Sequence, residues 1–126
     1  MPQRFSEPLF VISVAARLVE MHPQTLRKYE REGLIAPSRT SGNLRLYSDQ
    51  DIERLRQVKY LVEQRGLNLS GVQLALELTR ELQRLRADYA SASDGDQQDG
   101  LGDEFTALLG MLGHVDQQQL RERSRG

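Results

Sequence analysis

The sequence predicts a mainly α fold, a winged helix-turn-helix with a small β-hairpin wing and a C-terminal dimerisation helix. Three observations predict it. Two short helical periods are separated by His22-Pro23, a turn-rich segment over 37–47 alternates at period two, and leucines recur at heptad spacing up to Tyr89. A chain of 126 residues has room for one domain with an appendage. The lack of cysteine excludes a disulfide scaffold, a thiol nucleophile and any Cys-based metal site. The longest apolar run, Leu9-Phe10-Val11-Ile12, is far too short for a membrane span or a secretory core.

The elements follow in order. Residues 1–8 are an N-terminal arm. Phe10-Val11-Ile12 leads into Ser13 as an N-cap, and Val14, Ala15 and Leu18 recur at helical spacing to about Glu20. His22-Pro23 starts a second helix, since proline suits the first helical position, and Gly33 stops it. Gln24, Thr25, Arg27, Lys28 and Arg31 then occupy exposed positions of a recognition-type helix. In the hairpin over 37–47, Ser41-Gly42-Asn43 supplies the turn. Leu44 and Leu46 are expected to face the core, with Arg45 and Tyr47 facing outward.

Ser48-Asp49-Gln50-Asp51 resembles a capping box with Asp in place of Glu. It opens a helix to about Arg65 whose apolar face is Ile52, Leu55, Val58 and Val62, with Gly66 as its end. Asn68 caps a fourth helix, in which Ala75, Leu78, Leu82, Leu85 and Tyr89 step by three and four. A seam of two heptads needs a partner surface. Packing within the chain is one such surface. An antiparallel homodimer through Leu78, Leu82, Leu85 and Tyr89 is the preferred one. The predicted winged-helix domain covers 9–78 and the dimerisation helix 75–90. Residues 91–103 are an acidic flexible linker. In the tail, 104–126, Phe105, Leu108, Leu109 and Leu112 form an apolar stripe that either folds back on the body or binds a partner; the polar end from Gln117 is expected to fray.

Charge is uneven. Residues 1–65 hold eleven Lys/Arg against eight acids, and 66–126 hold six against ten. A basic front suggests a polyanion-facing part. His22 fits a helix start, and His114 has no second His or Cys with which to share a metal, so neither a metal nor a cofactor is expected. No Ser–His–acid or paired-carboxylate constellation is discernible, so an enzyme is the weakest class.

Taken together, Ser13-Val14-Ala15, the run Thr25-Leu26-Arg27-Lys28-Tyr29-Glu30-Arg31-Glu32-Gly33-Leu34-Ile35, Pro37, Arg45-Leu46-Tyr47-Ser48 and Asp51-Ile52 resemble the N-terminal half of MerR-family transcription regulators. The likeness runs from about residue 9 to 80. Met21-His22, Gln24-Thr25-Leu26-Arg27, Arg39-Thr40-Ser41-Gly42 and Gly66-Leu67-Asn68-Leu69-Ser70-Gly71 resemble the heat-shock repressor branch of that family. The resemblance implies a bacterial, cytoplasmic and nucleoid-associated dimer. It would bind double-stranded DNA at inverted repeats upstream of chaperone operons, with the DnaK chaperone as corepressor. Metal-sensing members carry cysteines at the dimer helix and drug-sensing members a large effector domain. Neither feature is found here, so no small-molecule effector is expected. A promoter-untwisting activator and a chaperone-binding adapter with weak DNA binding are the rival readings.

The resemblance and the residue chemistry name the contacts. Arg27 has the planar fork that fits guanine O6 and N7, its bland alternative being a pair with Glu30 on the same helix. Gln24 and Thr25 suit a base or phosphate contact and Lys28 a phosphate, and Arg31 belongs to the same DNA-binding set. Tyr29 can pack its ring beneath the wing while its hydroxyl reaches a phosphate. Arg39, Arg45 and Tyr47 belong to the wing, where the arginines suit the minor groove or the backbone.

Overall fold

The structure is a computed structural model and describes residues 5–92 and 100–115. Its elements run β1 (Pro8–Val11), α1 (Ile12–Val19), α2 (Pro23–Arg31), β2 (Ser38–Arg39), β3 (Arg45–Ser48), α3 (Asp49–Glu63), α4 (Leu69–Ala92) and α5 (Gly100–Met111). The mainly α class and the winged helix-turn-helix are as the sequence predicts. Two compact units part between Tyr60 and Leu61, inside α3.

The first difference lies at the start. Phe10 and Val11 form a strand, and the wing is therefore part of a three-stranded antiparallel sheet ordered β1-β3-β2. Phe10 pairs with Tyr47 and Val11 with Leu46, while Ser38 and Arg39 pair with Leu46 and Arg45 on the other side of β3. Because β1 runs straight into α1, the helix begins at Ile12. Val11 is its N-cap without any side-chain bond, and Ser13 lies inside the first turn and is not the cap expected of it. At the far end Glu20 adopts a left-handed conformation, and Lys59 Nζ donates to the Val19 and Glu20 carbonyls at 3.2 Å while Arg56 donates to Leu18. These cations satisfy carbonyls that the helix end leaves open.

The start of α2 is as expected. His22 Nδ1 accepts the Gln24 N–H at 3.0 Å, and Pro23 takes the first position. Gly33, at φ +79°, lets the Leu34 N–H return to the Tyr29 carbonyl. In the wing turn Thr40 N–H bonds Leu44 O at 2.9 Å, Leu44 N–H bonds Thr40 Oγ1, and Asn43 takes φ 67°.

The faces of β3 are reversed from the expectation. Tyr47 is completely buried and Leu44 is half exposed; Leu46 and Arg45 are intermediate. The period-two pairing of Arg45 with Tyr47 is correct. Their shared face, however, turns toward α2, because the Tyr47 ring has more apolar surface to bury than leucine and Arg45 meets the acid Glu30. The Tyr47 hydroxyl is buried with no hydrogen-bond partner among the described residues. Ala15, Ala16, Val19, Leu26, Tyr29, Leu34, Ile35, Ile52, Leu55 and Val58 complete this core.

Ser48 and Asp51 form the reciprocal box that the sequence predicts. The Ser48 N–H donates to Asp51 Oδ2 and the Asp51 N–H to Ser48 Oγ, both at 3.0 Å. We expect Asp51→Ala to lose about 1 kcal/mol of stability, seen as a lower urea midpoint with an unchanged m-value. An unchanged midpoint would show the box to be dispensable. At the end of α3 it is Leu61, not the expected Val62, that is buried.

In the second unit Asn68 Oδ1 accepts the Gly71 N–H at 2.9 Å and caps α4, as expected. The buried face of α4 is Val72, Ala75, Leu76 and Thr79. α5 returns antiparallel along α4. Tyr89 meets Phe105 with ring centroids 6.1 Å apart, Arg86 reaches Thr106, and Gln83 meets His114 at 3.2 Å. Leu109 is fully buried, so of the two courses the sequence leaves open for the stripe, Phe105 and Leu109 take the one that folds back. Leu112 is half-buried and Leu108 stays exposed. The expected linker is also shorter: 91–92 continue α4 and 100–103 begin α5, while 93–99 and the tail from 116 lie outside the described residues.

The expected heptad seam divides between two faces. Leu82 and Tyr89 are half-buried; Leu78 and Leu85 are exposed at 45% and 43% and line up with exposed Leu74. No helix among the described residues is long and apolar enough to cross a membrane.

Candidate nucleic-acid interface

The first unit brings most of the expected contact residues to one helix and the hairpin beside it. Along α2, Leu26 and Tyr29 turn inward. Gln24, Lys28 and Arg31 are exposed, and Thr25 and Arg27 are half-buried. The 3.6-residue repeat produces this division, since 24, 27/28 and 31 share a stripe. Lys28 and Arg31 also lie in the last turn, where cations favour the helix dipole.

Arg17, Arg27, Lys28 and Arg31 make no ion pair or hydrogen bond among the described residues. Arg54, Arg56 and Lys59 of this unit are engaged with backbone carbonyls. Arg54 Nε donates to the Leu34 carbonyl at 2.6 Å, holding the segment after α2, and Arg56 and Lys59 hold the end of α1. They keep their charge, yet each is tethered to the backbone of its own unit. Among the described residues, the cations of this unit that make no bond at all thus lie on α1 and α2. Arg17 was not singled out by sequence reasoning; being the one cation of α1 is the signal that could have found it.

Glu30 organises the wing. Its Oε1 accepts from Arg45 Nε at 2.6 Å and its Oε2 from Arg39 Nη2 at 2.9 Å, with the three side chains between one fifth and about one third exposed. Arg39 Nη1 also donates to the Asn43 carbonyl and side chain. Sequence reasoning considered Glu30 only as a neighbour for Arg27; the strand pairing of Arg39 with Arg45, which points both at α2, was not visible to it. Burial raises the Glu30 pKa, but the bonds and charges of Arg45 and Arg39 outweigh it, and the carboxyl ends below the usual glutamate range. A depressed carboxyl stabilises the fold above its unfolded pKa, and this contribution is lost as pH falls through the folded value.

Two expected contacts are withdrawn from the surface. Tyr47 lies in the core, and burial first, then the Glu30 charge, pushes its phenol pKa up, so it stays protonated and inaccessible. Tyr29 is buried on the inner side of α2 at 9% exposure. Among the described residues no group of His, Asp or Glu could hold a metal ion.

The family model for MerR HTH family regulatory proteins matches residues 10–79. A Streptomyces coelicolor protein named for the heat shock protein HspR is 52% identical over 91 residues, covering 70% of this chain and 60% of the relative. The regulator GlnR of Bacillus anthracis is 40% identical over 73 residues, 58% of this chain and 56% of its own length. The regulator MlrA of Salmonella typhimurium is 34% identical over 95 residues, 68% of this chain and 39% of its own. The matched stretch thus spans 60% or less of each of these relatives. A model matching more than half of the chain, over the same residues that build β1 to α4, shows that it belongs to the MerR family of helix-turn-helix regulatory proteins, a family of regulators and not of enzymes.

Proposed function

We propose that the chain is a sequence-specific DNA-binding transcriptional repressor of heat-shock and chaperone genes. It acts as a homodimer on an inverted-repeat operator, with a DnaK-type chaperone as corepressor. The observation that carries the DNA reading is the set of four cations on α1 and α2 that make no bond among the described residues, beside a wing tied to the same helix. The heat-shock part draws on the relative named for HspR.

In this reading α2 lies in the major groove with Arg27 at base edges, Gln24 and Thr25 beside it, and Lys28, Arg31 and Arg17 on phosphates. The exposed stripe Leu74, Leu78 and Leu85 is the dimer seam, with Leu82 and Tyr89 bracing it from within. Two copies of α2 then meet successive major grooves, about 34 Å apart. The chaperone's surface is the exposed part of α5, Leu101, Leu108 and Met111, and not Phe105 or Leu109, which the fold consumes.

Fluorescence anisotropy on the upstream region of a chaperone operon and on a scrambled duplex, over a salt series and with and without DnaK, tests this reading. We expect preference for the operon DNA, sharpened by the chaperone. With four phosphate contacts per protomer, the log–log salt slope is roughly −7 for a dimer. Equal binding to both duplexes would overturn the repressor reading and favour an adapter that meets the chaperone through α5.

A further inference from the structure

We propose that Glu30 is a positioning residue for the wing and that, of the two arginines it holds, Arg45 alone goes on to a DNA phosphate while Arg39 braces the hairpin. The inference rests on the DNA-binding reading above and refines it. It begins with the donors. Arg45 gives Glu30 only its Nε, and its two terminal nitrogens make no bond among the described residues. Arg39 has both terminal nitrogens committed, Nη2 to Glu30 and Nη1 to the Asn43 carbonyl and side chain. A guanidinium offers five N–H donors in a fixed plane. Arg45 can therefore keep Glu30 on one edge and offer a phosphate its outer fork, whereas the terminal fork of Arg39 is already spread over α2 and the turn and could be turned to a phosphate only at the expense of those bonds.

The backbone supports the same division. Arg39 and Arg45 are register partners, so their side chains leave the sheet on one face and meet one carboxylate on α2. Arg39 closes a ring through β2, the Asn43 turn and α2. Asn43 sits at φ 67°, and its carbonyl is fixed by the Arg39 bond. Glu30 thus acts on DNA through another side chain. Placed between two cations, it holds the hairpin against the recognition helix before any duplex arrives, so less side-chain freedom is lost on binding. The opposite role is also physical: a carboxylate on two wing arginines could compete with phosphate, in which case its removal would tighten binding.

Three variants, Glu30→Gln, Arg39→Met and Arg45→Met, separate these roles in a salt series on the operon duplex. Hydrogen exchange on the DNA-free protein supplies an independent readout. We expect Glu30→Gln to weaken binding about tenfold, the worth of one charge-assisted hydrogen bond, with little change of salt slope. Arg45→Met should flatten the slope by about 1 per protomer, and Arg39→Met should weaken binding at the wild-type slope. Without DNA, Glu30→Gln and Arg39→Met should speed exchange in 38–46 while α3 keeps its protection. Tighter binding with a steeper slope in Glu30→Gln would overturn the positioning role in favour of competition, and a flatter slope in Arg39→Met would overturn the division between the arginines. If Glu30→Gln loosens the wing but the wild-type protein binds no duplex, the DNA reading and the Arg45 half fail while the hairpin clamp stands. Unchanged exchange in 38–46 refutes the clamp itself.

Discussion

Arg27→Ala is expected to remove discrimination between operator and scrambled DNA while leaving the fold intact. A bidentate arginine–guanine contact is worth about 1–3 kcal/mol, so each half-site loses roughly 5- to 150-fold in preference, and a dimer loses it twice. The bland alternative, a pair with Glu30, is met by the observation that both Glu30 oxygens are engaged by Arg45 and Arg39. Arg27 is half-buried, so its stem is guided by packing while its donors are left open. Lys28→Ala provides the contrast. Lys28 is a fully outward point charge, and its loss should weaken specific and random duplexes alike, flattening the salt slope by about 1 per protomer. Anisotropy titrations of both variants on both duplexes decide the matter. Equal losses on the two duplexes for Arg27→Ala would refute its role at base edges.

The second large effect concerns stability. Tyr47 is fully buried on the central strand of the sheet, so Tyr47→Ala should cost about 3–5 kcal/mol, a substantial part of what a small domain has. Tyr47→Phe should go the other way. Its hydroxyl is buried without a hydrogen-bond partner among the described residues, and removing an unsatisfied polar group is neutral to stabilising while the ring keeps its packing. Urea unfolding of the two variants checks this pair. A phenylalanine variant that falls as far as the alanine one would mean that the hydroxyl has a partner in solution.

Much of this architecture was legible because local chemistry dictated it. Pro23 after His22, Gly33 after α2, Asn68 before α4 and the Ser48–Asp51 box act within three or four residues, and each forms the bond its type predicts or takes its expected place. What was not legible depended on distant partners. Phe10-Val11 reads as the lead-in to a helix until β3 pairs with it, and a two-residue periodicity leaves open which face of β3 the helices cover. The seam of α4 was read as one stripe because helical spacing alone does not say that α5 takes Tyr89. The basic count of the front half could not separate Arg54, Arg56 and Lys59, whose donors hold carbonyls, from Arg17, Arg27, Lys28 and Arg31. For the candidate interface, α2 was legible as a helix with an outward stripe. The role of Glu30 was not, since it arises from a β-register.

The pairing of β1 with β3 encloses both helices of the helix-turn-helix between Val11 and Leu46. α1 and α2 have eight and nine residues, below the roughly 12–15 at which an isolated helix holds its shape in water. Zipping these strands therefore closes the loop within which the helices become ordered, and the entropy of that closure falls on the sheet. The recognition helix is accordingly not a portable part. Excised as a peptide, or grafted without the extended residues before it, it would be a random coil carrying the right side chains. Any fusion or trimming at the amino end also acts, through β1, on α2.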